Sequence, residues 1–240
     1  MKIIDDVIAS LNTDVAVKDI RQGVYQTAVY TSRCGLASTP HDGSVHQQGH
    51  SSVKEAGNLL NLSVTDLVDL AKSNSQMEAA IGLATINSLL DIDESRCREV
   101  NAADIIAEKG AGKNIAIIGH FPFVPSLKPV AANLWVIERN PHDGDYPANA
   151  AEELLPKADV VGITGTALLN QTFDELAGYC RKDAFVVMLG GTTPLSPVLF
   201  DYGIDAISGT MIVDADAALL SVSQGANFRQ IKGKRLLTMM

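Results

Sequence analysis

The sequence predicts an α/β protein whose second half is a mostly parallel sheet, preceded by a small α+β unit. Three observations carry this expectation. Four apolar runs, at 114–118, 134–137, 159–163 and 185–189, are continuous rather than alternating, as in strands buried on both faces. Each run ends in a small or polar cluster, and helical stretches separate them, so strand and helix alternate from about residue 100 onward. The first ninety residues instead mix a helical stripe with paired β-branched segments, and a charged connector at 91–96 divides the two patterns. The expected division is 1–95 and 96–240.

Ile4, Val7, Ile8 and Leu11 fall at helical spacing, and Asn12-Thr13-Asp14 stops that helix. Residues 15–17 and 24–31 are rich in Val, Thr and Tyr around Arg21-Gln22-Gly23, which predicts two strands and a turn. From Arg33 to Ser52 periodicity fades among Gly, Ser and three of the five histidines, which reads as a long loop of the kind that carries function. Thr65-Asp66 cap a helix through Ala71, and Met77 to Leu90 form a second helical stripe. A further helix is expected over 102–109, closed by Gly110-Ala111-Gly112.

In the alternating half, Pro122, Pro125 and Pro129 confine the first crossover helix to a short or broken one. Later helices are expected over 148–155, 173–179 and 214–224, and 205–208 adds a strand.

The net charge of -9 disfavours phosphate backbones and anionic membrane surfaces, so nucleic acid and membrane are not expected partners. No apolar run reaches the roughly 20 residues of a membrane span, and the first residues lack a signal-peptide pattern, which places the expectation in the cytoplasm. Cys34, Cys97 and Cys180 stand apart with no CxxC pair, so neither a disulfide framework nor a zinc knuckle is expected. A homo-oligomer is compatible with the composition.

Open parallel sheets bind ligands at the carboxyl ends of their strands, where Gly119, His120, Glu138, Thr164 and Gly190 gather. Gly119-His120-Phe121-Pro122 is not GxGxxG, and Pro122 removes an amide that a pyrophosphate needs, so a conventional NAD site is not expected. His120 and Glu138 are the candidate proton carriers; the plainer readings are an edge histidine satisfied by backbone and a strand-end acid paired with Arg139. Asn140 opens a turn-rich stretch to Pro147 that either folds over a ligand or only connects.

Thr164-Gly165-Thr166 with Asn170, and Gly190-Gly191-Thr192-Thr193, read as paired loops whose amides and hydroxyls cradle a small polar or anionic organic ligand. Their alternative is plain tight turns with helix caps. His41, His46 and His50, with Cys34, are weaker metal-ligand candidates, because their glycine-rich spacing leaves the geometry open.

The run Glu138-Arg139-Asn140-Pro141 with Gly144-Asp145 and Pro147, then Ala158-Asp159 into Ile163-Thr164-Gly165-Thr166 and Asn170, then Leu189-Gly190 with Thr192-Thr193-Pro194, Gly203 and Ser208-Gly209-Thr210, resembles the DUF364 family, whose description proposes heavy-metal chelation. The first ninety residues resemble the accompanying DUF4213 domain. The resemblance implies an enolase N-terminal-like domain followed by a Rossmann-like domain, with a site between them. It also implies condensation or hydrolysis in making flavin-, pterin- or siderophore-like molecules, or chelation of a heavy metal. Gly191 stands where the family's loop carries proline.

Residues and resemblance together lead to an enzyme acting on a small metal-chelating molecule, its cofactor a heavy-metal ion or a metal chelate if any. The alternative is a non-catalytic binding module for heavy metal, a metal chelate or a nucleoside-like ligand. A scaffold with a vestigial cleft is the third class.

Overall fold

The structure is a computed structural model and describes residues 1–40 and 52–240. Helix α1 (Lys2–Ala9) buries Ile3, Ile4 and Val7. Strands β1 (Asp19–Gln22), β2 (Gln26–Tyr30) and β3 (Cys34–Ser38) form an antiparallel meander. Helix α2 (Val64–Asp69) starts in a capping box: Ser63 Oγ accepts from the Asp66 amide, and the Asp66 carboxylate accepts from the Ser63 amide. Helix α3 (Gln76–Leu89) crosses β2 and β3, and eleven of its fourteen residues are buried.

The second sheet begins with β4 (Cys97–Arg98) and helix α4 (Ala102–Lys109), which Asn101 caps through Oδ1. Then come β5 (Asn114–Ile118), α5 (Val124–Leu127), β6 (Asn133–Glu138), β7 (Tyr146–Pro147), α6 (Ala151–Leu154), β8 (Val160–Thr164), α7 (Thr166–Leu169), α8 (Phe173–Tyr179), β9 (Phe185–Leu189), β10 (Ala206–Ile212), α9 (Ala215–Ser223) and β11 (Lys234–Met239). Their order in the sheet is β4-β11-β10-β9-β8-β5-β6-β7, and neighbours from β10 through β7 run parallel. From β5 the chain steps outward to β6, then returns to β8 on the opposite side of β5. The strand order therefore reverses between β5 and β8, which opens a crevice at their carboxyl ends.

Each face of this sheet is covered, as continuous apolar strands require. Ile115, Ile117, Val136 and Val187 pack under α4 and α5. On the other face, Ala116, Ile118, Val161, Ile163 and Met188 share one continuous core with Phe173, Leu168 and the residues of α2 and α3. Burial of Phe173 alone is worth about 3 kcal/mol. That shared core presses the N-terminal unit against α7, so the end of β3 overhangs the strand ends of the larger sheet.

Several local expectations shift. Residues 15–17 form no strand; the ladder starts at Asp19, whose register partner is Tyr30. The expected long loop after Arg33 opens as β3, and Gly35 is the reason: its missing side chain lets the backbone of α3 lie directly against the strand. The metal candidates His41, His46 and His50 lie outside the described residues. Their suggested partner Cys34 is buried in β3, and desolvation first, then Asp19, pushes its thiol up to about 12. In the metal-free protein that thiol therefore stays protonated at neutral pH. Antiparallel β11 and its partner β4, absent from the sequence expectation, complete the sheet. Among the described residues no helix is long and apolar enough to cross a membrane.

Glu78, buried in the first turn of α3, fastens the chain where the described residues resume. Its carboxylate accepts from the Ser73 hydroxyl and from the Lys54 amide, while Ser75 Oγ donates to the Ser52 carbonyl. Desolvation pushes its pKa up, but these hydrogen bonds outweigh it and the net shift is downward. A depressed carboxylate stabilises the fold above its unfolded pKa and loses that contribution as pH falls through the folded value. Glu78→Gln is expected to cost about 2 kcal/mol at pH 7. Its urea midpoint should also fall less steeply than that of the natural chain below about pH 4.5. Parallel pH profiles for the two proteins would refute this role.

Candidate functional site

The crevice at the β5–β8 reversal is a cleft of about 770 Å³, bounded on the sheet side by Gly119, His120, Glu138, Asn140, Thr164 and Thr166. Its other wall comes from the N-terminal unit, through Ser38, Thr39, Pro40 and Gln76. Backbone bonds stitch the strand-end loops to neighbouring strands: the Gly119 amide donates to the Ile137 carbonyl at 3.0 Å, Gly165 to Leu189 at 2.8 Å, and Gly190 to Ser208 at 3.1 Å. The cleft floor is thus fixed by the sheet before any ligand arrives.

Glu138 ends β6 with both carboxylate oxygens engaged. Oε1 accepts from the His120 amide at 2.6 Å and Oε2 from the Arg139 amide at 3.0 Å. It holds the turn after β5 against the end of β6, which is the act of a positioning group.

The His120 ring turns to the stretch 140–147. Its Nδ1 lies 3.1 Å from Asp145 Oδ2, which also accepts from the His142 amide at 3.1 Å. His142 Nδ1 stands 3.8 Å from the same oxygen, and the two imidazoles meet edge to face at 5.1 Å. The Asp145 side chain is 6% exposed, against 42% for His120 and 74% for His142. One ligand atom from each of the three residues can be chosen so that all lie within 4.8 Å of one another. A tight turn makes this local convergence: the Asp145 amide donates to the His142 carbonyl at 2.9 Å, and Gly144 sits at φ +92°.

Asn170 Oδ1 accepts from Gln76 Nε2 at 2.9 Å and from Arg139 Nη1 at 3.1 Å, so it joins the two halves of the molecule across the cleft. The Thr164 and Thr166 hydroxyls pair at 3.0 Å on the cleft wall. The second loop is differently employed. Thr192 is buried; its hydroxyl accepts from the Ser38 amide at 2.9 Å and donates to Ser38 Oγ at 3.2 Å, while its carbonyl accepts from Asn87. It works as a clasp between the halves. Thr193 is also buried, and a side chain at Gly165 would begin 2.5 Å from its amide and hydroxyl, so the two strand-end loops touch directly.

Gly190 and Gly191 line a second recess, of about 790 Å³, on the far side of Phe121. Sequence reasoning missed His142, Asp145, Gln76 and Arg139 as site residues. The close spacing of His142 and Asp145 around Gly144 was the available signal for the first two.

The chain is thus a two-part α/β fold of the Rossmann-like class, with a cleft at the strand-order reversal and a histidine–aspartate cluster that adjoins the cleft through His120. The model of the DUF364 family, described as "Putative heavy-metal chelation", matches residues 101–240, and that of DUF4213, with the same description, matches residues 4–90. The chain belongs to the DUF364 family. It is 30% identical over 193 residues to the uncharacterized protein MJ0500 of Methanocaldococcus jannaschii, covering 78% of this chain and 74% of that protein. A DUF364 protein of unknown function from Desulfitobacterium hafniense DCB-2 superposes with a TM-score of 0.85 at 26% identity, over 99% of this chain and 97% of that one. A second, PH1506 from Pyrococcus horikoshii, gives a TM-score of 0.84 at 22% identity over 99% and 98%, which is a likeness of fold.

Proposed function

We propose that this protein binds a divalent transition metal through His120, His142 and Asp145, together with a small organic chelator seated in the adjoining cleft. The convergence of those three side chains, of which His120 also lines the cleft, carries the reading. Two imidazoles and a carboxylate are borderline donors that suit zinc, nickel, cobalt or copper(II). Three protein ligands leave a coordination position open for a chelator lying in the cleft that His120 shares with Thr164, Thr166 and Asn170. Glu138 supports the site by fixing the His120 amide, and its occupied oxygens argue against a role as a free base.

A second reading has its own observation. The His120 Nδ1 contact with the nearly buried Asp145 is also the arrangement that orients an imidazole for proton transfer. In that case the chain is an enzyme in which Asp145 positions His120 toward the cleft.

Calorimetry with zinc and nickel chlorides separates the two. The natural chain is expected to take up one equivalent, and Asp145→Asn and His142→Ala should each weaken it by about 100-fold. A chain carrying both His46→Ala and His50→Ala should bind as the natural one does. Retention of full affinity in Asp145→Asn and His142→Ala would defeat the metal reading and leave proton transfer by His120.

A further inference from the structure

The recess beyond Phe121 shares Thr164 and Thr166 with the cleft, but its remaining lining has no part in the metal reading and its chemistry is different. We propose that it is a binding site for a planar aromatic carboxylate. Aromatic rings form its walls: Phe121 and Phe123 stack at 5.2 Å with 20° between their planes, and Phe228 lies opposite the strand-end turn. Gly191 makes room for Phe228, because a Cβ there would sit 2.6 Å from the ring edge. Flat apolar walls of this kind favour a flat apolar guest.

Polar groups at the same place supply the second half of the specificity. The Thr193 amide donates to the Gly190 carbonyl at 3.1 Å and closes a turn whose central residues are Gly191 and Thr192. Among the described residues the amides of those central residues find no acceptor. Thr210, on the recess wall, has a buried hydroxyl without a partner among the described residues. A buried polar group in that state takes its partner from ordered water or from a bound ligand.

Arg229 stands exposed at the mouth and makes no ion pair among the described residues, in a chain whose net charge is -9. A guanidinium without an ion pair and turn amides without an acceptor, beside aromatic walls, select a ring that carries an anion, and the fork of the guanidinium fits a carboxylate.

Titration of the full chain with 2-naphthoate and its neutral isostere 2-naphthamide tests this. The natural chain is expected to bind naphthoate about tenfold more tightly than naphthamide, the discrimination of one charge-assisted contact. Arg229→Gln, a change at an exposed position, should bring the two affinities to within about twofold. Gly191→Val should abolish binding of both by driving the Phe228 ring into the recess. His142→Ala should change nothing, which keeps the outcome separate from that of the metal experiment. The proposal is overturned if naphthoate fails to bind the natural chain, if Arg229→Gln retains the preference, or if His142→Ala abolishes binding and so assigns the ligand to the cleft.

Discussion

Replacing Gly35 by alanine is expected to lower the melting temperature by about 10 °C, the equivalent of about 3 kcal/mol for a chain of this size. Gly35 lies where α3 crosses β3, and a Cβ there would stand 2.2 Å from the Ala84 carbonyl oxygen and 2.3 Å from the Ser88 amide. Both are backbone atoms of a helix, so no side chain can swing aside. The helix has little freedom to retreat either, because Gly82 on it meets the chain at Ala71 just as closely, at 1.9 Å for an added Cβ. Strand and helix must separate, and the Ser38 clasp on Thr192 moves with the strand. A matched control is Gly178→Ala in α8, where nothing lies within 4 Å of the added carbon. Helix propensity alone should make that change neutral or stabilising by up to about 1 kcal/mol. Calorimetric scans of both variants check the contrast, and equal melting temperatures would mean that α3 and β3 do not pack this closely.

The parallel core was legible because its physics is local to each strand. The central residues of the runs at 114–118, 134–137, 159–163 and 185–189 are buried in a sheet covered on both faces, so apolar side chains dominate them and the runs stand out without knowledge of their neighbours. Strand β3 hid for the opposite reason. Its Cys-Gly-Leu-Ala sequence has no β-branched residue, and only contact with α3 explains why small side chains are required there. Strand β11 pairs antiparallel on the far side of β10, and its first half carries Lys234 and Arg235, so no buried run announced it.

The site divides in the same way. That Gly119, Glu138, Thr164 and Gly190 end neighbouring strands followed from sheet geometry alone. Which of their hydroxyls and carboxylates remain available to a ligand did not follow, because that depends on partners far along the chain. Thr192 resembles Thr166 in sequence, yet its hydroxyl is taken by Ser38, 154 residues away. Asp145 meets His120 across 25 residues because the chain leaving β6 turns back at Gly144 over the end of β5. The structure brings His120, Glu138, Asn140, Thr164, Thr166 and Asn170 to one cleft, and turns Gly190 and Gly191 toward the other recess.

Gly119→Val is expected to remove ligand and metal binding together while leaving most of the chain folded. Gly119 holds φ +106°, a conformation that a β-branched residue reaches only at a cost of about 2 kcal/mol. The added Cβ would also stand 3.1 Å from Thr164 Cβ and from the Phe121 ring, so the side chain crowds the crevice at the strand-order reversal. Relief of that strain requires the backbone after β5 to rotate, and His120 is the next residue. Its amide would leave Glu138 Oε1 and its ring would leave Asp145 Oδ2, which dismantles the metal cluster without touching any proposed ligand atom. A loss of about 100-fold in zinc affinity is therefore expected, comparable to that of Asp145→Asn. The melting temperature should fall by only about 6 °C. Zinc titration and a calorimetric scan on the same preparation measure both quantities. Zinc binding that survives in a folded Gly119→Val chain would show that the turn after β5 does not position His120 for the metal.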